Sequence, residues 1–214
     1  MIKRMNAKSR FTIIADDSSD DSSDDSSVIS NKDSKDLSLN LNSNQVYFYD
    51  DVTKQSIFNL NRNLDFVAKN LLLVTLSYNL VECPPIELYI SSDGGEVFSA
   101  FSAVDRIKNS RVPVHSYVEG IAASAATLLS VVAHKRFIRH NSFMLVHQVS
   151  GGLWGNFAQF KDEMQNLDLL MKFIKTIYLT HTKFTEQELD NLLNHDIYLN
   201  AEQCLEKGLV DEII

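Results

Sequence analysis

The 214-residue sequence has little cysteine, little positive charge and no long apolar run. Its two cysteines, Cys83 and Cys204, are too few for a disulfide framework and show no metal-ligand spacing, so we expect a reducing, cytoplasmic compartment and no metal site. The formal net charge is −8 without any basic stripe, which argues against nucleic-acid binding. Apolar runs such as NLLLVTL are too short to span a bilayer, so we expect no membrane association. The N-terminal residues include no long apolar segment, so we do not expect a secretory signal.

Two motifs of common enzyme classes are also missing. The sequence contains no Gly-x-x-x-x-Gly-Lys-Ser/Thr loop, so no phosphate-binding loop for ATP is expected in this chain. It contains no Gly-x-Ser-x-Gly either, which argues against an α/β-hydrolase. We therefore expect no cofactor in this chain.

An acidic, serine-rich repeat sets the N-terminal segment apart. Residues 1–36 include DDSSDDSSDDSS, and such a segment cannot bury enough apolar surface to offset the entropy lost on ordering. We predict a disordered acidic tail over 1–36, acting either as a solubilising segment or as a phosphorylatable, partner-binding arm. Residues 37–214 are long enough for one domain with a sizeable core.

Apolar spacing in residues 37–214 alternates between strand and helix periods. This alternation predicts an α/β fold with parallel strand pairing. Strands are predicted at 45–49, 86–90 and 112–118, in KRFI and FMLVH, and at the C-terminus after Gly208. Helices are predicted over 54–80, from Val97 to Ile107, from Ser124, from Phe157 to Ile177 and before Gly208.

One hydroxyl group, that of Ser124, lies among four alanines where a helix is predicted to begin. Gly94 and Gly95 lie between a predicted strand and a predicted helix, where glycine permits positive φ and leaves backbone N–H groups accessible. Two such helix starts, brought together, could stabilise a developing oxyanion. Taken alone, the glycine pair is equally typical of a tight turn without a ligand.

A serine nucleophile needs a base and a group that orients the base. His147 ends the predicted strand FMLVH, and Asp196 follows a predicted helix in NHDIYL. Either residue could instead be structural, His147 as a core residue and Asp196 as a solvated carboxylate or a helix cap. Because the sequence offers several serines, histidines and aspartates, the residues alone leave the triad open.

Several motifs in order resemble ClpP, the proteolytic subunit of the Clp protease. LYISSDGG, GIAAS and FMLVHQ resemble its Ser-Pro-Gly-Gly, Gly-x-Ala-Ala-Ser and His-Gln-Pro motifs, and the C-terminal stretch THTKFTEQELDNLLNHDIYL…GLVDEII is also similar. The resemblance covers roughly residues 45–214. It implies a triad of Ser124, His147 and Asp196, with the backbone N–H groups of Gly95 and Ala125 forming an oxyanion hole.

The same resemblance implies a fold and an assembly. The expected fold is a ClpP/crotonase-like spiral of strand–helix units, with a protruding handle made of the long helix and a glycine-rich strand in SGGLWGNF. Substrate would bind near Gly94, Gly151 and Gly152 as an added strand. The assembly would be a heptameric ring, either single or stacked as a double ring. A separate AAA+ unfoldase would use ATP and feed it unfolded proteins.

Three of the departures from the family pattern lie within these motifs. Asp93 and Val149 replace prolines, and Lys183 replaces a glycine. A carboxylate at Asp93 would oppose the oxyanion unless the side chain points outward. Two alternatives to a serine endopeptidase therefore stay open. One is a non-catalytic ring subunit or scaffold, and the other is a crotonase-like acyl-CoA enzyme.

Overall fold

The computed structural model describes residues 44–152 and 154–214. The predicted acidic tail, residues 1–36, lies outside the described residues. The described strands are β1 (Gln45–Phe48), β2 (Ile86–Ser92), β3 (Val114–Ala123), β4 (Lys135–Ile138), β5 (Phe143–Leu145), β6 (Tyr198–Leu199) and β7 (Glu212–Ile213). The described helices are α1 (Lys54–Ser77), α2 (Val97–Lys108), α3 (Ala125–Val131), α4 (Phe157–His181), α5 (Glu186–Leu193) and α6 (Ala201–Glu206).

A mainly parallel sheet forms the centre of the fold. Its strand order is β1-β2-β3-β4-β7, and every neighbouring pair in this series is parallel. The predicted α/β class with parallel pairing is therefore confirmed. None of the helices in the described ranges is long and apolar enough to cross a membrane.

The long strand β3 pairs with two different strands on one side. Its first half pairs with β4 through residues 115–118, and its last three residues pair with β5. Gly120 lies between these two halves with φ +73°, a conformation that glycine adopts without steric cost. β3 is therefore longer than predicted, because it continues past this bend to Ala123.

The two faces of the sheet differ in character. Alternate residues of β2 are buried against the helices, as in an ordinary apolar core. On the other face, parallel register places four aromatic rings side by side, with centroids 4.7–4.9 Å apart. These rings, which we call the aromatic row, are Tyr47, Tyr89, Tyr117 and Phe137.

The prediction of a glycine-rich strand in SGGLWGNF is wrong for those residues of this stretch that the structure describes. Residues 150–152 and 154–156 form no strand. Gly151 and Gly152 are exposed, and a Cβ added at either would meet no atom within 4 Å. A strand needs a partner to accept and donate its backbone hydrogen bonds, and no such edge lies beside these residues in the described part of the chain.

Helix α4 follows this stretch and is well defined at its start. Asn156 caps it, since its side chain accepts from the Gln159 N–H while the Gln159 side chain accepts from the Asn156 N–H. Of its 25 residues, all described, just Ile174 and Tyr178 are buried. The N-terminal part of α4 therefore leaves its large apolar side chains exposed.

Candidate active site

A single residue, Ser124, forms the turn between β3 and α3. Ser124 has φ 52° and ψ −126°, a left-handed conformation that costs a residue with a Cβ about 1–3 kcal/mol. Residues strained in this way persist where the surrounding structure fixes them, and they concentrate at functional sites. Ser124 is half-buried, and its hydroxyl has no hydrogen-bond partner among the described residues.

Ser124 and His147 line one cavity of about 210 Å³. The predicted oxyanion residues Gly95 and Ala125 line the same cavity. Its apolar wall is formed by Val97, Leu128, Ile174 and the ring of Tyr178. The structure thus brings four of the predicted site residues together around one space.

Asp196 lies behind His147. Its Oδ1 atom is 3.6 Å from the His147 Nδ1 atom, just beyond hydrogen-bond distance. The His147 side chain is 18% exposed, whereas that of Asp196 is 81% exposed. The contact is therefore a loose one that water can enter from the Asp196 side.

Two backbone connections place Asp196 near His147. Leu145 pairs with Tyr198 in the antiparallel β5–β6 ladder, and the Gln148 N–H donates to the Leu193 carbonyl over 3.0 Å. The segment around His147 is therefore tied on both sides to the two ends of the loop that carries Asp196. These contacts join residues about 50 positions apart, and no local pattern indicates them.

Gly94 lets its loop approach the turn at Ser124. Its φ is +93°, and a Cβ added there would lie 2.6 Å from the Ala123 carbonyl oxygen and 2.7 Å from the Ser124 Cβ. Such distances are shorter than any real Cβ contact, so only glycine fits. Gly94 itself does not line the cavity, and its role in the described structure is this close packing.

Gly95 is oriented by a short parallel bridge to Val52. The Val52 N–H donates to the Gly94 carbonyl over 2.7 Å, and the Glu96 N–H donates to the Val52 carbonyl over 2.8 Å. In this pattern the N–H of Gly95 points away from Val52. Neither this N–H nor that of Ala125 has an acceptor among the described residues. Both are therefore free to bind an oxygen atom in the cavity.

Asp93 points to a different part of the surface. It is exposed and lines a separate depression with Asp50 and Asp51. It does not line the cavity that contains Ser124. The structure thus favours the outward orientation, which reduces the repulsion that a carboxylate would exert on an oxyanion.

The two cysteines have no part in this site. Burial raises the pKa of Cys204 to about 12, so its thiol stays protonated, while Cys83 is half-buried elsewhere. Among the described residues, no group of three or more His, Cys, Asp and Glu side chains is arranged to hold a metal ion.

Three residues at the site were not identified from the sequence. Val52 fixes the glycine loop through its backbone, while Thr127 and Tyr178 lie beside the turn at Ser124. The signal for Tyr178 was available, because it is four residues after Ile174 on the predicted apolar stripe of α4. Val52 gave no such signal, since it orients Gly95 through backbone atoms, which every residue has.

Comparisons with known proteins agree with the motifs. A family model described as Clp protease matches residues 40–214, most of the chain. Among solved structures, a mutant of ClpP1 from Listeria monocytogenes matches with a TM-score of 0.66 and 23% sequence identity, covering 82% of this chain and 94% of that chain. The structural match shows a shared fold, and the family match confirms the resemblance seen in the motifs. The chain therefore belongs to the Clp protease family.

Proposed function

We propose that this ClpP-like peptidase is a serine endopeptidase that cleaves unfolded polypeptides. Ser124 would be the nucleophile, His147 the general base, and Asp196 the group that orients His147. The observation that carries the proposal is the strained Ser124 turn, which shares a cavity with His147 and two free backbone N–H groups. A merely structural serine would not need this conformation.

The geometry supports an acyl-transfer mechanism. The Nδ1 atom of His147 faces Asp196, so Nε2 is left to accept the proton of the Ser124 hydroxyl. The Ser124 oxygen then bonds to the substrate carbonyl carbon, and the N–H groups of Gly95 and Ala125 bind the resulting oxyanion. His147 returns the proton to the leaving amine, and water hydrolyses the acyl-enzyme by the same route. Catalytic hydrogen bonds are commonly long without substrate and shorten when it binds, which fits the 3.6 Å contact.

Reaction with a fluorophosphonate probe tests this proposal directly. The probe bonds covalently only to an activated serine, so we expect wild-type protein to be modified at Ser124, as located by peptide mass mapping. Absence of labelling in folded protein would favour the non-catalytic scaffold instead.

The family match removes the support for the crotonase-like alternative.

The cavity should select an apolar side chain next to the cleaved bond. Its apolar lining residues include Val97, Leu128 and Ile174, and its one acidic lining residue, Glu96, would repel a second carboxylate. Burying a carboxylate there without a partner is costly. We therefore expect at least about a hundredfold higher kcat/KM for a fluorogenic peptide with leucine before the scissile bond than for one with aspartate. Equal values for the two peptides would contradict this assignment of the pocket.

The proposed ring assembly is supported by the exposed part of α4. Its apolar residues recur with heptad spacing, which favours packing of two such helices against each other. Seven residues follow this spacing, namely Phe157, Phe160, Met164, Leu167, Met171, Ile174 and Tyr178. The last two are buried in the body, whereas Phe157 is 75% and Met164 is 60% exposed. We propose a heptameric ring, with the exposed stripe joining two rings.

A charge placed on this stripe should separate the rings. We expect Met164→Glu to shift the sedimenting species from fourteen times the 24.2 kDa protomer mass toward half that size. Asn166→Glu adds the same charge on the opposite side of α4 and serves as the matched control. Identical sedimentation profiles for both variants and wild type would exclude the stripe as a ring contact.

The ATP-dependent step is proposed to belong to a separate AAA+ unfoldase in the cytoplasm. The aromatic row is a candidate docking surface, since Tyr47 is 58% exposed and Tyr49 beside it is 55% exposed. Aromatic side chains are enriched at protein interfaces, and this row lies on the face of the sheet opposite the buried one. This surface does not include the cavity that contains Ser124.

A further inference from the structure

The Tyr178 side chain of helix α4 lies close to the turn at Ser124. This is among the largest fully buried side chains of the described residues, and its ring lines the cavity that contains Ser124. Its hydroxyl is hydrogen-bonded to the Thr127 hydroxyl, which is also fully buried. The Thr127 hydroxyl in turn bonds to the carbonyl oxygen of Ser124. A continuous path of hydrogen bonds thus joins α4 to the turn.

The number of hydroxyl protons determines which group donates in each of these hydrogen bonds. A carbonyl oxygen accepts only, so the single Thr127 hydroxyl proton is donated to the Ser124 carbonyl. The Tyr178 hydroxyl must therefore donate to the Thr127 oxygen. Burial raises the pKa of Tyr178, with a smaller opposing effect from the Thr127 hydroxyl, so the phenol remains protonated and remains a donor.

The strained conformation of Ser124 is held from both sides. On one side, the Ser124 N–H donates to the Leu145 carbonyl over 2.7 Å. On the other side, the Ser124 carbonyl accepts from the Thr127 N–H over 3.1 Å and from the Thr127 hydroxyl. Because a positive φ is unfavourable for serine, loss of one of these restraints lets the turn relax toward other conformations.

We propose that Tyr178 is a positioning residue for the nucleophile, acting through Thr127 to hold the Ser124 turn in its reactive conformation. The inference rests on the proposed function, since it assigns a role to Tyr178 in activating Ser124. It also makes the placement of α4 a determinant of reactivity. Any movement that draws α4 away from α3 removes the Tyr178 bond and loosens the turn.

Tyr178→Phe removes the hydroxyl and keeps the ring that fills the cavity. We expect the second-order rate constant of fluorophosphonate labelling at Ser124, and kcat for a small peptide, to fall about tenfold, with KM unchanged because the cavity wall is intact. Thr127→Val should produce a comparable loss, and Thr127→Ser, which keeps the hydroxyl, should retain most of the activity. Tyr78→Phe removes an exposed hydroxyl from the residue that caps the C-terminus of α1 and is the matched control.

Two further readouts separate positioning from general destabilisation. The Tyr178→Phe/Thr127→Val double variant should be no slower than Thr127→Val alone, because both changes interrupt one path. Amide hydrogen exchange should accelerate in the peptide that covers residues 120–130 while the rest of β3 stays protected. Labelling of Tyr178→Phe at the wild-type rate would overturn this inference and leave the proposed function intact. An unlabelled wild-type protein would overturn both.

Discussion

Replacing Ser124 with alanine is expected to lower peptide cleavage by about 10⁴-fold or more, because the members of a triad act as a unit. Protein stability should change little. The Ser124 hydroxyl has no partner among the described residues, so its removal leaves no polar group unpaired. Alanine also keeps the Cβ, so the strain at φ 52° is the same in both proteins.

Three measurements on Ser124→Ala check this result. Turnover of a fluorogenic peptide gives the rate, thermal unfolding gives the stability, and native mass measurement gives the assembly. We expect loss of the first with the other two unchanged. Wild-type turnover in the purified variant would show that another residue is the nucleophile, and a collapse of stability would show that the hydroxyl has a structural role.

Replacing Gly95 with alanine is expected to cause the second largest loss. The added Cβ would lie 2.3 Å from the Val52 carbonyl oxygen, so the loop must move and take its N–H away from the cavity. Loss of one donor from an oxyanion hole reduces kcat by about 10²–10³-fold. Because the φ of Gly95 is +146°, the variant should also lose about 1–3 kcal/mol of stability.

Gly120→Ala is the matched control for Gly95→Ala. Gly120 also has a positive φ, but a Cβ there would meet only the Ser91 side chain at 3.5 Å. Backbone strain should therefore lower the stability of both variants, whereas kcat should fall only in Gly95→Ala. Equal kcat values for the two folded variants, measured with the same peptide, would contradict an oxyanion role for Gly95.

The sequence by itself determined the fold class and most of the helices and strands, and it supplied the residues proposed for the candidate site. Periods of two and 3.6 residues predicted the parallel α/β fold, because buried faces impose those periods locally. The motifs around Gly95, Ser124 and His147 identified the family, since each motif is a short contiguous stretch. These are properties that neighbouring residues specify without knowledge of distant contacts.

Only the tertiary structure decided how those groups face one another. The proximity of Asp196 to His147 depends on the pairing of Leu145 with Tyr198, and the outward direction of Asp93 depends on how its loop meets the turn at Ser124. The predicted strand near Gly151 does not form in the described residues there, because no other strand edge lies beside it to complete its hydrogen bonds. Strain, register and pairing arise from contacts between residues far apart in the chain, and a local pattern carries no information about them.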